Sequence, residues 1–212
     1  MIAADLRKRI LSGDLEEGEL IRQELLADEY DVSRMPIREA LKRLDAEGLV
    51  VFQNNRGATV MKHSLEEIAE IFDIRILLEV DLFRRAIPKM TEVDFAACEG
   101  TLEAMERSYE TGDVAEWGPL NEHYHNLLLE AAGRNLTFEL LQRASTQANR
   151  YVGMHIDQLN KSDNAREDHR ALLDLARSGN IDAAAERLRA HIENTKLQIL
   201  DLIANIRAHQ NG

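Results

Sequence analysis

The chain has 212 residues, 44% of them apolar and 30% charged, which fits one large or two small globular domains. No run approaches the ~20 apolar residues of a membrane-spanning helix, no secretory leader is visible, and a single cysteine, Cys98, excludes a disulfide framework and points to a reducing cytoplasm. A net charge of −12 argues against a protein that coats nucleic acid indiscriminately.

Aromatics and prolines are scarce while Leu, Ala, Glu and Arg abound, which favours helix over sheet. The charge is uneven. Residues 1–63 hold 10 basic and 12 acidic side chains, a net −2, against 16 and 26, a net −10, over residues 64–212.

Ile2, Leu6, Ile10 and Leu11 recur with helical spacing, and Gly13 and Gly18 bracket an acidic loop. Leu20, Leu25, Leu26 and Tyr30 predict a second short helix, followed by the polar turn Asp31-Val32-Ser33. Ser33 is placed to cap a third helix, with Pro36 in its first turn, where a missing N–H costs little. That helix puts Ile37, Ala40, Leu41 and Leu44 on one face and ends near Gly48. The pattern then turns to two β-prone runs, Leu49 to Phe52 and Ala58 to Met61, joined by the turn Asn54-Asn55-Arg56-Gly57.

From Ser64 onward every signal is helical. Ser64 and Glu67 form a capping-box pattern opening a helix that reaches Ala86 before Pro88. Further helices open at Thr91-Glu92 and at Asp113-Val114, the latter ending at Gly133. A long helix spans 135–159, the next is capped by Ser162 or Asp163 and stops at Gly179, and the last covers 181–209. The expected fold is mainly α: a winged helix-turn-helix over residues 1–63 and an antiparallel helical bundle over residues 64–212.

In a winged helix-turn-helix the second helix of the pair enters the major groove and its N-terminal residues reach base edges. Arg34 and Arg38 lie four apart at the start of that helix, and each guanidinium matches the O6/N7 edge of guanine. Lys42 and Arg43 lie further along and suit phosphate. In the wing turn, Arg56 suits the minor groove and Gly57 allows close backbone approach. Ser33 and Met35, beside Arg34, complete the candidate DNA contacts. Any one arginine alone would be read as solvated charge; four basic residues in ten positions, between the turn and the wing, shift the balance.

The run from Val32 to Leu41, then Leu44, Glu47-Gly48-Leu49-Val50 and Asn55 to Val60, resembles the DNA-binding domain of GntR-family bacterial transcription regulators. Glu24 stands where the family often has a basic residue, Asp31 where Gly is common, and Met35 where Thr or Gln is frequent. Ile71 to Glu79, Asn121 to His125, Glu130 to Asn135, Glu167 to Leu172 and Ala190-His191-Ile192 are similar to the FadR subfamily's all-helical effector domain, the FCD type.

That second resemblance implies a divalent metal, Zn or Ni, held by Asn121, His125, His169 and His191. Asn121 and His125 are i, i+4 on one helix, so they point one way. Three imidazoles and an oxygen suit such an ion, although a neutral amide is a weaker ligand than a carboxylate. His63, His155 and His209 are read as ordinary satisfied residues, and His123 faces the other side of its helix. Arg75 and Arg150, among apolar neighbours, are candidate anchors for an effector carboxylate, with an internal salt bridge from Arg75 to Glu79 or Asp81 equally open.

The implied protein is a non-enzymatic repressor that binds an inverted-repeat operator in double-stranded DNA as a homodimer, with a small organic acid as effector. Two other readings stand beside it. A hydrolase using the histidines needs a general base, and Glu122 and Glu130 do not share the Asn121/His125 face. An architectural DNA binder has no use for so large a second region.

Overall fold

The computed structural model of the protein describes residues 1–53, 57–111, 114–159 and 163–210. The N-terminal part runs α1 (Ile2–Ser12), β1 (Leu20–Ile21), α2 (Gln23–Glu29), α3 (Arg34–Ala46), β2 (Val50–Gln53) and β3 (Gly57–Val60). Spacing dictates its core. Ile37, Ala40, Leu41 and Leu44 of α3 are buried, as are Leu6 and Ile10 of α1 and Leu26 of α2, and the strands add Val50, Ala58 and Val60. Gly13 closes α1 in the left-handed conformation, φ 84°, returning its N–H to the Ile10 carbonyl.

The expected hairpin is present, with β2 antiparallel to β3 in the register Val51 to Thr59 and Phe52 to Ala58. Leu20 and Ile21, however, are not the start of a helix. They form a third strand on the other edge of β3, pairing with Thr59 and Ala58, and the helix begins only at Gln23. A two-residue strand has no periodicity of its own; its pairing partner lies almost forty residues away. Gly57 is the reason the strands can close. Its φ is +109°, and a Cβ there would lie 2.0 Å from the Ile21 carbonyl oxygen, so only glycine fits.

The remaining helices are α4 (Leu65–Ala86), α5 (Glu92–Thr111), α6 (Val114–Glu130), α7 (Asn135–Leu159), α8 (Asp163–Arg177) and α9 (Ile181–Gln210), with one short 3-10 turn at Ile87–Lys89. α4 opens with the expected capping box: the Glu67 N–H donates to Ser64 Oγ at 3.1 Å and the Ser64 N–H to Glu67 Oε2 at 2.7 Å. It then runs through the middle of the bundle, packed by α6, α7 and α9, while α5 and α8 complete the outer layer. Phe72, Phe83, Tyr124, Leu128, Tyr151, Leu172, Leu188 and Ile199 are among the side chains that fill the core. Of the segments between helices, Gly112, Asp113 and Ser162 lie outside the described residues.

The two parts touch. α1 packs on α7, where the Leu11 carbonyl approaches Gly153. The acidic loop after α1 reaches into the bundle as well. Glu17 accepts a hydrogen bond from the Tyr151 hydroxyl at 2.8 Å and pairs with Arg207 at 3.0 Å, while Arg207 also donates to the His63 carbonyl at 2.8 Å.

Candidate functional site

The exposed face of α3 carries the basic side chains that its buried face leaves outside. Arg34, the first helical residue, and Arg38, one turn on, share that face. Ser33 holds the N-cap position in extended conformation, φ −69° and ψ 165°, but its side chain makes no hydrogen bond into the first turn. The hydroxyl expected to cap the helix is therefore not spent on it. Met35 is 65% exposed, an apolar side chain left on the surface between two arginines.

Arg34 is paired with Glu24 of α2 at 2.8 Å. Lys42 pairs with Glu39 at 3.2 Å and Arg43 with Glu47 at 3.5 Å, each on its own helix. Arg56 lies outside the described residues. Arg22, Glu24, Arg34, Met35, Arg38 and Gly57 line a common cleft of about 470 Å³ beside α3. Arg22 is an exposed cation in this cleft that the α3-centred reading passed over. Gly57 is buried and sheet closure demands it, so its glycine character is explained without DNA.

In the bundle, three helices bring His125 (α6), His169 (α8) and His191 (α9) together, with one ring nitrogen of each within 4.8 Å of the others. Ring centroids stand 5.6 Å apart for His125 and His169, 5.5 Å for His125 and His191, and 4.8 Å for His169 and His191. Tyr124 donates its hydroxyl to the His169 carbonyl at 2.7 Å and fixes α8 against α6.

Two carboxylates orient the rings. Glu79 Oε2 lies 3.2 Å from His125 Nδ1, and Asp168 Oδ2 lies 3.3 Å from His191 Nδ1. Burial pushes His125 below its ordinary value, so the ring is neutral and its Nδ1–H donates to Glu79. Burial alone would raise the Glu79 carboxyl, but the Arg75 charge and the hydrogen bonds from His125 and Arg75 reverse this and hold it at about 2. Asp168 is held below its usual range chiefly by the hydrogen bond from His191, with Arg187 adding charge. With Nδ1 turned toward a carboxylate, Nε2 is the ring nitrogen of His125 and of His191 left for a metal.

Asn121 sits one turn before His125 and is buried, and its Oδ1 has no hydrogen-bond partner among the described residues. An unsatisfied buried carbonyl oxygen costs ~1–3 kcal/mol, and a cation would satisfy it. Three imidazoles, a spare amide oxygen and carboxylates behind two of the rings fit a divalent ion.

Arg75 donates through Nε to Glu79 at 2.8 Å and both side chains are buried. This is the internal pairing that the sequence left open beside an effector role. Arg150 sits at the contact between the two parts, its Nη2 3.3 Å from the Leu15 carbonyl, in a small cleft shared with Gly48, Leu49 and Met61. Trp117 and Tyr151 are buried in the core, the Trp117 ring 6.3 Å from His169. Asp168 is a site residue that the sequence pattern does not single out. Its adjacency to His169 in the sequence hides the fact that it serves His191.

Residues 1–60 match the family model for "Bacterial regulatory proteins, gntR family" and residues 70–194 match that for the "FCD domain". An uncharacterized HTH-type transcriptional regulator of Bacillus subtilis, YdhC, is 27% identical over 89% of this chain and 85% of its own length. The gluconate operon transcriptional repressor of the same organism is 35% identical over 61% of this chain, a match spanning 53% of that repressor. Among solved structures, McbR/YncC of Escherichia coli superposes with a TM-score of 0.82 at 19% identity, covering 95% of this chain and 96% of that one, a likeness of fold.

Proposed function

Since the chain belongs to the GntR family of bacterial regulatory proteins, with an FCD domain, and is thereby a DNA-binding transcription regulator, we propose that it is a repressor that binds an inverted-repeat operator as a homodimer and responds to a small carboxylate held in the helical bundle. Residues 1–63 act as the reader and residues 64–212 as the sensor. The observation that carries the sensor reading is the convergence of three imidazoles from three helices, with Asn121, one turn before His125, holding a buried oxygen that has no hydrogen-bond partner among the described residues.

In the reader, Arg34 and Arg38 approach base edges, Met35 suits the methyl group of thymine, and Ser33 offers a hydroxyl to phosphate. Lys42 and Arg43 lie further from the helix start, where backbone phosphates pass. One such reader spans a half-site, so two copies match a two-fold operator. Exposed apolar side chains supply a face for the second copy: Ile74 and Leu77 on α4, and Leu136 and Leu140 on α7, the helix packed beside it.

In the sensor, His125, His169 and His191, with Asn121, would hold a divalent ion, Zn or Ni. Bound there, the ion supplies a Lewis-acidic positive centre suited to an effector carboxylate such as a sugar acid, hydroxy acid or dicarboxylate. Glu79 and Asp168 orient the rings. The carboxylates that touch the histidines are engaged by those rings and by Arg75 and Arg187, which leaves them poorly placed as general bases for hydrolysis. The sensor reading is therefore preferred to an enzyme.

The contact between the parts gives the signal a route. α9 carries both His191 and Arg207, and Arg207 holds Glu17 of the reader's loop and the His63 carbonyl. The test is an operator titration of the metal-loaded protein across a panel of small carboxylates. Affinity falling with one acid, but not with its methyl ester, supports the proposal. Unchanged affinity across acids that bind the protein, with thermal shift as the binding readout, contradicts it.

A further inference from the structure

Glu24 stands in the cleft that Arg34, Arg38 and Arg22 line, and a nucleic-acid backbone brought to α3 would repel its carboxylate. Its partner is Arg34, at 2.8 Å. Both side chains are 68% exposed, and so open a pair contributes little to folding. The consequence of the pair lies on the DNA side.

Building on the assignment of α3 as the reading helix, we propose that Glu24 is a specificity-determining residue of the reader, which competes with phosphate for the Arg34 guanidinium. A phosphate offers Arg34 the same paired anionic oxygens that the Glu24 carboxylate already offers, and adds repulsion with Glu24. The guanine edge is uncharged and offers O6 and N7 in one plane, two acceptors matched to the guanidinium fork with no anion set against Glu24. Breaking the pair is repaid in full only on a matching base pair. Glu24 thus lowers affinity for any sequence, and lowers it most for the wrong one. The pair bridges the first turn of α2 and the first residue of α3, so it also fixes where the guanidinium starts.

The test begins by selecting duplexes from a random library with the full-length protein. Anisotropy titrations at one fixed salt concentration then compare wild type, Glu24→Gln, Arg34→Gln and the double variant. The duplexes are the selected operator, its single-base variants and a scrambled sequence. Glu24→Gln is expected to tighten binding to scrambled DNA about three- to tenfold and to change operator binding by about twofold or less, so that the specificity ratio falls. The lost discrimination is expected at one base pair per half-site, the same pair at which Arg34→Gln loses its preference.

In the Arg34→Gln background, Glu24→Gln is expected to leave the ratio unchanged. An unchanged ratio in the single variant overturns the inference, as does an equal fall in the Arg34→Gln background, which assigns the effect to bulk charge. If the wild-type protein selects no sequence at all, the assignment of α3 as reader fails, and this inference with it.

Discussion

Glu79 Oε2 lies 3.2 Å from His125 Nδ1, both side chains buried, on helices that meet across the bundle. A carboxylate behind a metal-binding imidazole fixes its tautomer and raises its basicity, and loss of such a partner costs ~10–100-fold in metal affinity. Glu79 also neutralises buried Arg75, so Glu79→Gln strands a charge and endangers the fold. Asp168, more exposed, makes the equivalent contact to His191 and gives the cleaner variant. Asp168→Asn is expected to weaken Zn or Ni binding ~10-fold or more, measured by competition with a chromophoric chelator. An unchanged affinity would remove the orienting role.

Glu17 joins the reader's loop to α7 and α9 through Tyr151 and Arg207. If the sensor speaks to the reader by this contact, cutting it uncouples them without abolishing either function. Glu17→Ala is expected to retain operator binding but to lose most of its response to the effector or to chelation, where coupling of ~1–3 kcal/mol is usual. The measurement is operator affinity with and without the added ligand. A full response in the variant means that the signal travels elsewhere.

Leu77 is 67% exposed in the middle of α4. With Ile74 on the same helix and Leu136 and Leu140 on the neighbouring α7, it belongs to a group of exposed apolar side chains of the kind that marks interaction sites. Leu77→Glu, or Leu140→Glu on α7, is expected to convert a dimer to a monomer by sedimentation and to weaken operator binding at least tenfold, while the helical circular dichroism stays unchanged. A dimer that survives both substitutions places the two-fold contact on another face.

Much of the helical framework was legible in the sequence because most helices, α2 excepted, are bounded by local signals. Ser64 and Glu67 start α4, and the limits 135–159 of α7 follow from local periodicity. The buried face of α3 was read from spacing alone. What failed was non-local. β1 exists because Thr59 and Ala58 accept it, and Gly57 is a glycine because of Ile21, across the sheet.

The site divides the same way. Arg75 and Glu79 are one turn apart, so their pairing could be foreseen. The contact from Glu79 to His125, 46 residues on, could not. The three histidines were singled out by a family resemblance, and the fold brings them together; the spacing within any one helix says nothing of their meeting.

His125, His169 and His191 are proposed to hold a divalent ion in a DNA-binding sensor. Elemental analysis of the purified protein, paired with operator titrations before and after chelation, tests it most directly. About one metal per chain, lost in His169→Ala, with operator affinity or effector response altered by chelation, is the expected result. A protein that stays metal-free after incubation with Zn and with Ni, yet binds its operator and answers its effector normally, would contradict the account.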